Sequence, residues 1–276
     1  MWKKVYEKYK YALILLGAFV RTDFKVKYQD SILGYIWSVL KPLFMFAILY
    51  MVFIKVLRIG ADIPHWPVAM LAGVVLFQFF TEVTSGSLKS IVSHGGLLRK
   101  IKFPRYIIIV SGTISALITL LLNSLVVVFF AVINGVEFSW GILAIIPLVI
   151  QLFIFAIGVA FILSAIYVKF RDIQYIWDII SQALFYGSAI IFPISLIANI
   201  SGKLGDIVLF VALANPVAQV IQDIRHLGIS SDIPSLWTVG GGDLLVYIYP
   251  VGITIITFLI GVWYFRKKSP SFAEGV

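Results

Sequence analysis

Side chains able to do bond-making chemistry are scarce in this chain of 276 residues. There is no Cys, and the three His (His65, His94 and His226) are scattered. That leaves neither a thiolate nucleophile nor a set of closely spaced metal ligands. Glu82 and Asp178 are the carboxylates inside long apolar runs, and an ionisable group there marks a functional site by default, since burying one at the centre of a spanning helix costs roughly 2.5–3.5 kcal/mol. Proton coupling is one use for such a group, and a structural hydrogen bond is the commoner one. The stretch from 195 to 243 adds Asp206, Asp223, Arg225, His226, Asp232 and Asp243, but no spacing among them singles out an acid–base pair. No G-x-x-x-x-G-K-[ST] stretch occurs, so any dependence on nucleotide must come from a partner.

The elements that position these residues follow from composition. Hydrophobic residues make up 61% of the chain and charged residues 13%, with a mean hydropathy of +1.03, which implies an integral membrane protein. With about 20 apolar residues needed per crossing, six spans are expected: Tyr35–Leu57, Trp66–Ile91, Tyr106–Ile133, Phe138–Val168, Ile173–Ile197 and Leu244–Phe265. The third and fourth, joined by Asn134-Gly135, should form a hairpin. One further run, Ile207–Gln222, is too short to span and is broken at Asn215-Pro216, so it reads as two short helices in a re-entrant hairpin at 203–228. The predicted fold is therefore an all-α bundle: a lead-in at 1–34, six spans over 35–265, and a tail at 266–276.

Net charge is +9, yet the cations sit at the ends of apolar runs, which argues for bilayer topology and against nucleic acid. Under the six-span scheme, 18 of the 22 Lys and Arg fall on the side of both termini, so positive-inside places both termini in the cytoplasm. The lead-in is too charged to insert. Leu13, Leu16, Val20 and Phe24 recur at helical spacing in it, predicting a helix lying in the cytoplasmic interface. No small-residue cleavage site follows Tyr11–Val20, so no cleavage is expected.

Three sets of residues suggest contacts. GLLRKIKFPR, residues 96–105, cannot span, and its Pro104 stops any helix running on from it. Leu97, Leu98 and Ile101 fall on one face, flanked by Arg99, Lys100 and Lys102, as expected of a short cytoplasmic helix that docks either in a protein groove or on the membrane surface. Aromatics are abundant within the spans. Sugar rings present C–H faces that stack on aromatic planes, so Tyr35, Trp37, Phe44, Tyr50, Phe80, Phe185 and Tyr186 are candidates to line a glycan passage. Basic Arg21, Lys25 and Lys27, near the membrane plane, would suit a lipid diphosphate.

The chain resembles the permease subunits of type-2 ABC exporters of lipid-linked polysaccharides, the O-antigen, capsule and teichoic acid exporters of bacteria. RTDFKVKYQDSILGYIWSVLKPLFMFAILYMVF (21–53) looks like the family's interface helix and first span. GLLRKIKFPR looks like its loop between the second and third spans, and RDIQYIWDIISQALFYGSAIIFPIS (171–195) with NPVAQVIQDIR (215–225) looks like the fifth span and gate helices. LGYIWSVLKP sits closer to the O-antigen and capsule members.

The resemblance implies a homodimer in the bacterial plasma membrane, bound to two copies of a separate ATPase that holds ATP and Mg. A polyprenyl-diphosphate-linked glycan would move from the cytoplasmic to the outer face. Residues 92–105 would be the coupling loop, carrying Leu97, Leu98, Arg99, Lys100, Ile101, Phe103, Pro104 and Arg105. Asn215 and Pro216 would sit in the gate. Two other classes remain open at this point. One is a proton-coupled flippase using Glu82 or Asp178, and the other is a glycosyltransferase working on lipid-linked sugars.

Overall fold

A computed structural model describes residues 2–27, 34, 36–100 and 103–272, with side chains described for residue 10 onward except those of residues 24, 26 and 27. Helix α1 (Trp2–Lys27) comes first, followed by α2 (Ile36–Leu49), whose last turns widen into a π-helical segment, Tyr50–Val56. Next come α3 (Trp66–Ser93), the six-residue α4 (Gly95–Lys100) and α5 (Tyr106–Ile133). A 3-10 turn, Trp140–Ala144, leads into α6 (Ile145–Tyr167), and α7 is Ile173–Gly187. The remainder is α8 (Ser195–Ala198), α9 (Lys203–Ala214), α10 (Pro216–Gly228), α11 (Leu236–Val239) and α12 (Leu245–Lys268). Five of these helices, counting α2 with its π segment, are long and apolar enough to cross a bilayer. The all-helical bundle is the expected one, and α5 begins and ends at the predicted residues.

The centre of the bundle is α3. Its Val68–Phe77 stretch is almost wholly buried, with Met70, Leu71 and Phe80 among its inward side chains, and it packs on α5 and α6. The pair α6–α12 closes most tightly at Gly158 and Gly261, where a Cβ on either glycine would run into the facing backbone. Small residues at this crossing let two spans approach within backbone contact, and van der Waals packing then replaces the hydrophobic drive that lipid cannot supply.

The fifth span departs from expectation. Its helix stops at Gly187 after 15 residues, about 22 Å, short of the roughly 30 Å hydrocarbon core. Ala189 takes a left-handed φ of 50°, and Pro193 disfavours helix at Phe192. The predicted Ile173–Ile197 therefore divides into a helix, a bent segment and short α8. The run broken at Asn215 also behaves as its Pro dictates: α9 and α10 are separate helices, bent by 77° from each other, an elbow compatible with a re-entrant element or a broken span.

Helix α1 lies against α5. Asp23 accepts a hydrogen bond from Ser111 Oγ at 2.8 Å, and Ser115 Oγ donates to the Val20 carbonyl at 3.4 Å. Phe19 is buried between His94 and Phe103, with ring centroids 5.6 and 5.7 Å away. The predicted apolar stripe is split by this packing. Leu16 and Val20 turn inward, Leu13 is exposed, and the Phe24 side chain lies outside the described residues. Arg105 Nη1 reaches Ser269 Oγ at 3.4 Å, so the end of the bundle that carries α4 also carries the end of α12.

Candidate functional site

Three features of the described residues bear on function: a groove, a clamp on the broken span, and the face of α4.

The groove runs between α2, α3 and α7 and encloses about 570 Å3. Trp37, Lys41, Phe44 and Ile48 recur at helical spacing on α2, and Lys41 and Ile48 line the groove directly. Facing them are Phe77, Gln78 and Thr81 of α3 and Ser181, Gln182, Phe185 and Tyr186 of α7. This wall mixes aromatic faces with amides, hydroxyls and one exposed cation, a combination able to stack sugar rings, hydrogen-bond their hydroxyls and attract an anion. Lys41 has no ion-pair partner among the described residues.

Of the predicted passage residues, Phe185 and Tyr186 line the groove, while Trp37 and Phe44 are exposed on α2. Tyr50 is half-buried above it, its ring 5.8 Å from Phe46 and 5.5 Å from Lys55 Nζ. Phe80 must be reassigned. It is fully buried, stacked on Phe155 at 5.6 Å and close to Trp177, so it packs the core. Tyr35 lies outside the described residues. Helix α7 buries only Trp177 and Ser181 and leaves Tyr175, Ile179, Gln182 and Tyr186 as an open stripe, with Asp178 exposed beside it.

Residues that sequence reasoning did not single out hold the broken span. Arg225 on α10 is fully buried and makes a fork of hydrogen bonds: Nε to the Ala69 carbonyl at 2.8 Å, Nη1 to Ala189 at 2.9 Å and Nη2 to Ile190 at 2.6 Å. Its guanidinium lies 5.0 Å over the Trp66 ring. Gln222 Nε2 donates to the Ser188 and Ala189 carbonyls at 3.1 and 3.3 Å, and its Oε1 accepts from Arg225. Carbonyls freed where a helix ends in a dry interior must find donors, and the negative end of the helix dipole favours a cation there. Gly73 makes room for this arrangement, since a Cβ there would meet Arg225 Nη2.

Asn215, at the predicted gate, links the same parts. Its Oδ1 caps α10 by accepting from Val217 N at 2.9 Å, and its Nδ2 donates to Ser188 Oγ at 3.0 Å. Pro216 follows at the first helical position, where its missing N–H costs nothing. The elbow and the break in the fifth span are thus one hydrogen-bonded unit. Beside it Asp223, also buried, accepts from Gln219 at 3.1 Å and from Tyr247 at 3.4 Å, so it is committed to local structure.

The helical form expected for the 96–105 stretch is present over Gly95–Lys100 in α4, and its apolar side chains face its own bundle. Leu98 is buried at 8% exposure, Leu97 packs partly into the core, and Phe103 rests on Phe19. The face left outward is Gly96, Arg99 and Lys100. Leu97 and Leu98 seat the helix on its own bundle, and Arg99 and Lys100 are exposed. Pro104 and Arg105 lie partly buried behind them, and Ile101 is outside the described residues.

Of the cations near α1, Arg21 and Lys25 are exposed, and the Lys27 side chain is outside the described residues. Burial pushes the Asp23 carboxyl above its ordinary value, with the Ser111 hydrogen bond and the His94 charge working the other way. The folded chain thus holds this proton more tightly than the unfolded one. Stabilisation from Asp23 is full below the ordinary carboxylate value of about 3.9 and is lost as pH rises through the raised one. Asp23→Asn should accordingly melt higher than the parent at neutral pH and match it in acid, as read by paired thermal melts across that range.

The sequence profile of the ABC-2 type transporters matches residues 15–221, three quarters of the chain. The chain belongs to the ABC-2 type transporter family. Among this permease's relatives is an "O-antigen export system permease protein RfbA" of Klebsiella pneumoniae, 29% identical over 269 residues, which cover 96% of this chain and 95% of the relative. A second protein of that name from the same organism is 27% identical over 269 residues, again 96% and 95%. One from Myxococcus xanthus is 24% identical over 276 residues, all of both chains. The family match takes in α2, α3 and α7, hence the groove, and runs to Ile221 in the first half of α10, just short of Gln222 and Arg225.

Proposed function

We propose that this permease is the membrane subunit of an ATP-driven exporter that moves a polyprenyl-diphosphate-linked polysaccharide of the O-antigen type across the bacterial plasma membrane. The observation that carries this reading is the end-to-end similarity to O-antigen export permeases. The chain performs no bond chemistry of its own. ATP and Mg belong to a separate ATPase, two copies of which bind a homodimer of this chain. Both termini and α4 face the cytoplasm, in accord with 18 of 22 cations on that side.

In this scheme the groove between α2, α3 and α7 is half of the glycan passage, completed by the same groove of a second copy. The exposed stripe on α7 supports that role, because an unpartnered face with Tyr175, Tyr186 and Gln182 suits a polar, ring-bearing substrate better than lipid tails. Arg21, Lys25 and Lys27, with Lys41 further along, draw the diphosphate to the entrance. The elbow at Asn215-Pro216, tied to the break after Gly187, gates the exit. Proton coupling through Glu82 or Asp178 has less support, since Asp178 is exposed.

A photo-reactive residue placed at Tyr186 tests the passage. It should capture glycan during stalled export, whereas the same probe at Trp140, 89% exposed at the start of the α6 region, should capture only lipid. Equal glycan capture at both positions, or none at Tyr186, contradicts the assignment.

A further inference from the structure

On the other face of the bundle, at the α4 end, the first turn of α5 and the last turns of α12 leave a slot of about 600 Å3 against α6. Its floor is apolar and buried, with Ile157, Phe161 and Phe265. Its rim is basic: half-buried Arg105, exposed Arg266 and the exposed ring of Tyr106. Arg105 has one long hydrogen bond, 3.4 Å to Ser269 Oγ, and neither guanidinium has a carboxylate partner among the described residues. Lys267 and Lys268 in the same turn instead lie over the rings of Trp263 and Tyr264, at 5.0 and 6.0 Å.

An apolar slot roofed by two guanidiniums that have no carboxylate partner among the described residues is complementary to an anionic amphiphile. Guanidinium binds phosphate oxygens through paired N–H donors, and basic pockets between spanning helices recognise acidic headgroups. We infer that this slot seats an anionic phospholipid of the surrounding leaflet, its phosphate between Arg105 and Arg266 and an acyl chain along Phe161 and Phe265. The lipid-linked glycan is a poorer fit. The amides that would hydrogen-bond sugar, Gln78 and Gln182, line the groove of α2, α3 and α7, and the slot contains no amide side chain. Arg105 joins α4 to α5, so a headgroup bound there also steadies the stretch that carries the outward cations of α4. This site does not depend on what the permease exports.

The test is retention of phosphatidylglycerol against phosphatidylcholine by the purified full-length permease, read by native mass spectrometry. The parent should prefer phosphatidylglycerol by about tenfold or more. R105Q/R266Q should abolish the preference, and K267Q/K268Q should keep it. V262W, which fills the slot and leaves both arginines, should lower retention as well and guards against misfolding of the double variant. The inference is overturned if the parent shows no preference, if R105Q/R266Q keeps it, if K267Q/K268Q removes it equally, or if polyprenyl diphosphate displaces phosphatidylglycerol from the slot at equal concentration.

Discussion

Replacing Arg225 by Ala is expected to lower the melting temperature of the detergent-solubilised permease by roughly 6–12 °C, the equivalent of about 3 kcal/mol in a chain of this size. The guanidinium supplies donors to the carbonyls of Ala69, Ala189 and Ile190 and to Gln222 Oε1, and all of these sit where water does not reach. Removing it strands several acceptors together, each with a desolvation cost of about 1–3 kcal/mol that local relaxation only partly recovers. Arg225→Lys should recover part of the loss, because an ammonium keeps the charge but cannot fork between a carbonyl of α3 and those of the bent segment after α7. Gly73→Val should phenocopy Arg225→Ala, since its Cβ would occupy the place of Nη2. Thermal melts of the three variants give the order, and a change of under 2 °C in Arg225→Ala would show that the break after Gly187 holds without its clamp.

The second large effect is expected at α4. Reversing charge with Arg99→Glu and Lys100→Glu should reduce export by at least about tenfold while leaving folding and membrane insertion intact, because like-charge contacts at an interface cost several kcal/mol. Both side chains are exposed. Leu98→Asp should behave oppositely. Leu98 is 8% exposed in the main core, so the burial of a carboxylate destabilises the permease before any partner is involved. Export, ATPase activity and melting temperature measured on both variants separate the two roles. Normal export by the Arg99→Glu, Lys100→Glu variant would remove α4 from the docking surface.

That contrast marks the limit of what was legible in the sequence. Apolar run length and Pro placement located α3, α5 and the division at Asn215, because the cost of unpaired backbone in hydrocarbon and the missing N–H of Pro act along the chain. The direction in which an amphipathic element faces depends on neighbours far away in sequence. Leu97 and Leu98 are apolar whether they wait for a partner or pack at home, and only the position of α1, with Phe19 against Phe103, decides between the two. Phe80 is a similar case. Its neighbours Phe155 and Trp177 come from α6 and α7, so no local pattern distinguished a stacked core ring from a lining one.

The fifth span shows the same limit in its energetics. Ile173–Ile197 is apolar enough to read as one helix, yet the chain unwinds after Gly187 because donors from residues 222 and 225 stand ready for its carbonyls. One signal was available: Arg225 lies nine residues after Pro216 in a helix whose Val217, Val220, Ile221 and Ile224 are apolar, and a cation beside such residues demands acceptors if that face is buried. Asn215 was singled out as a helix breaker. It also caps α10 and ties that cap to Ser188, a role the dipeptide alone does not reveal.

ATP-dependent movement of lipid-linked O-antigen across a reconstituted membrane tests the central proposal most directly. Proteoliposomes holding this permease and its cognate ATPase, loaded with labelled lipid-linked polysaccharide, should deliver label to the opposite leaflet only with ATP and Mg, and an ATPase unable to hydrolyse should abolish delivery. Delivery at the same rate without ATPase, driven by a proton gradient or by none, would contradict it.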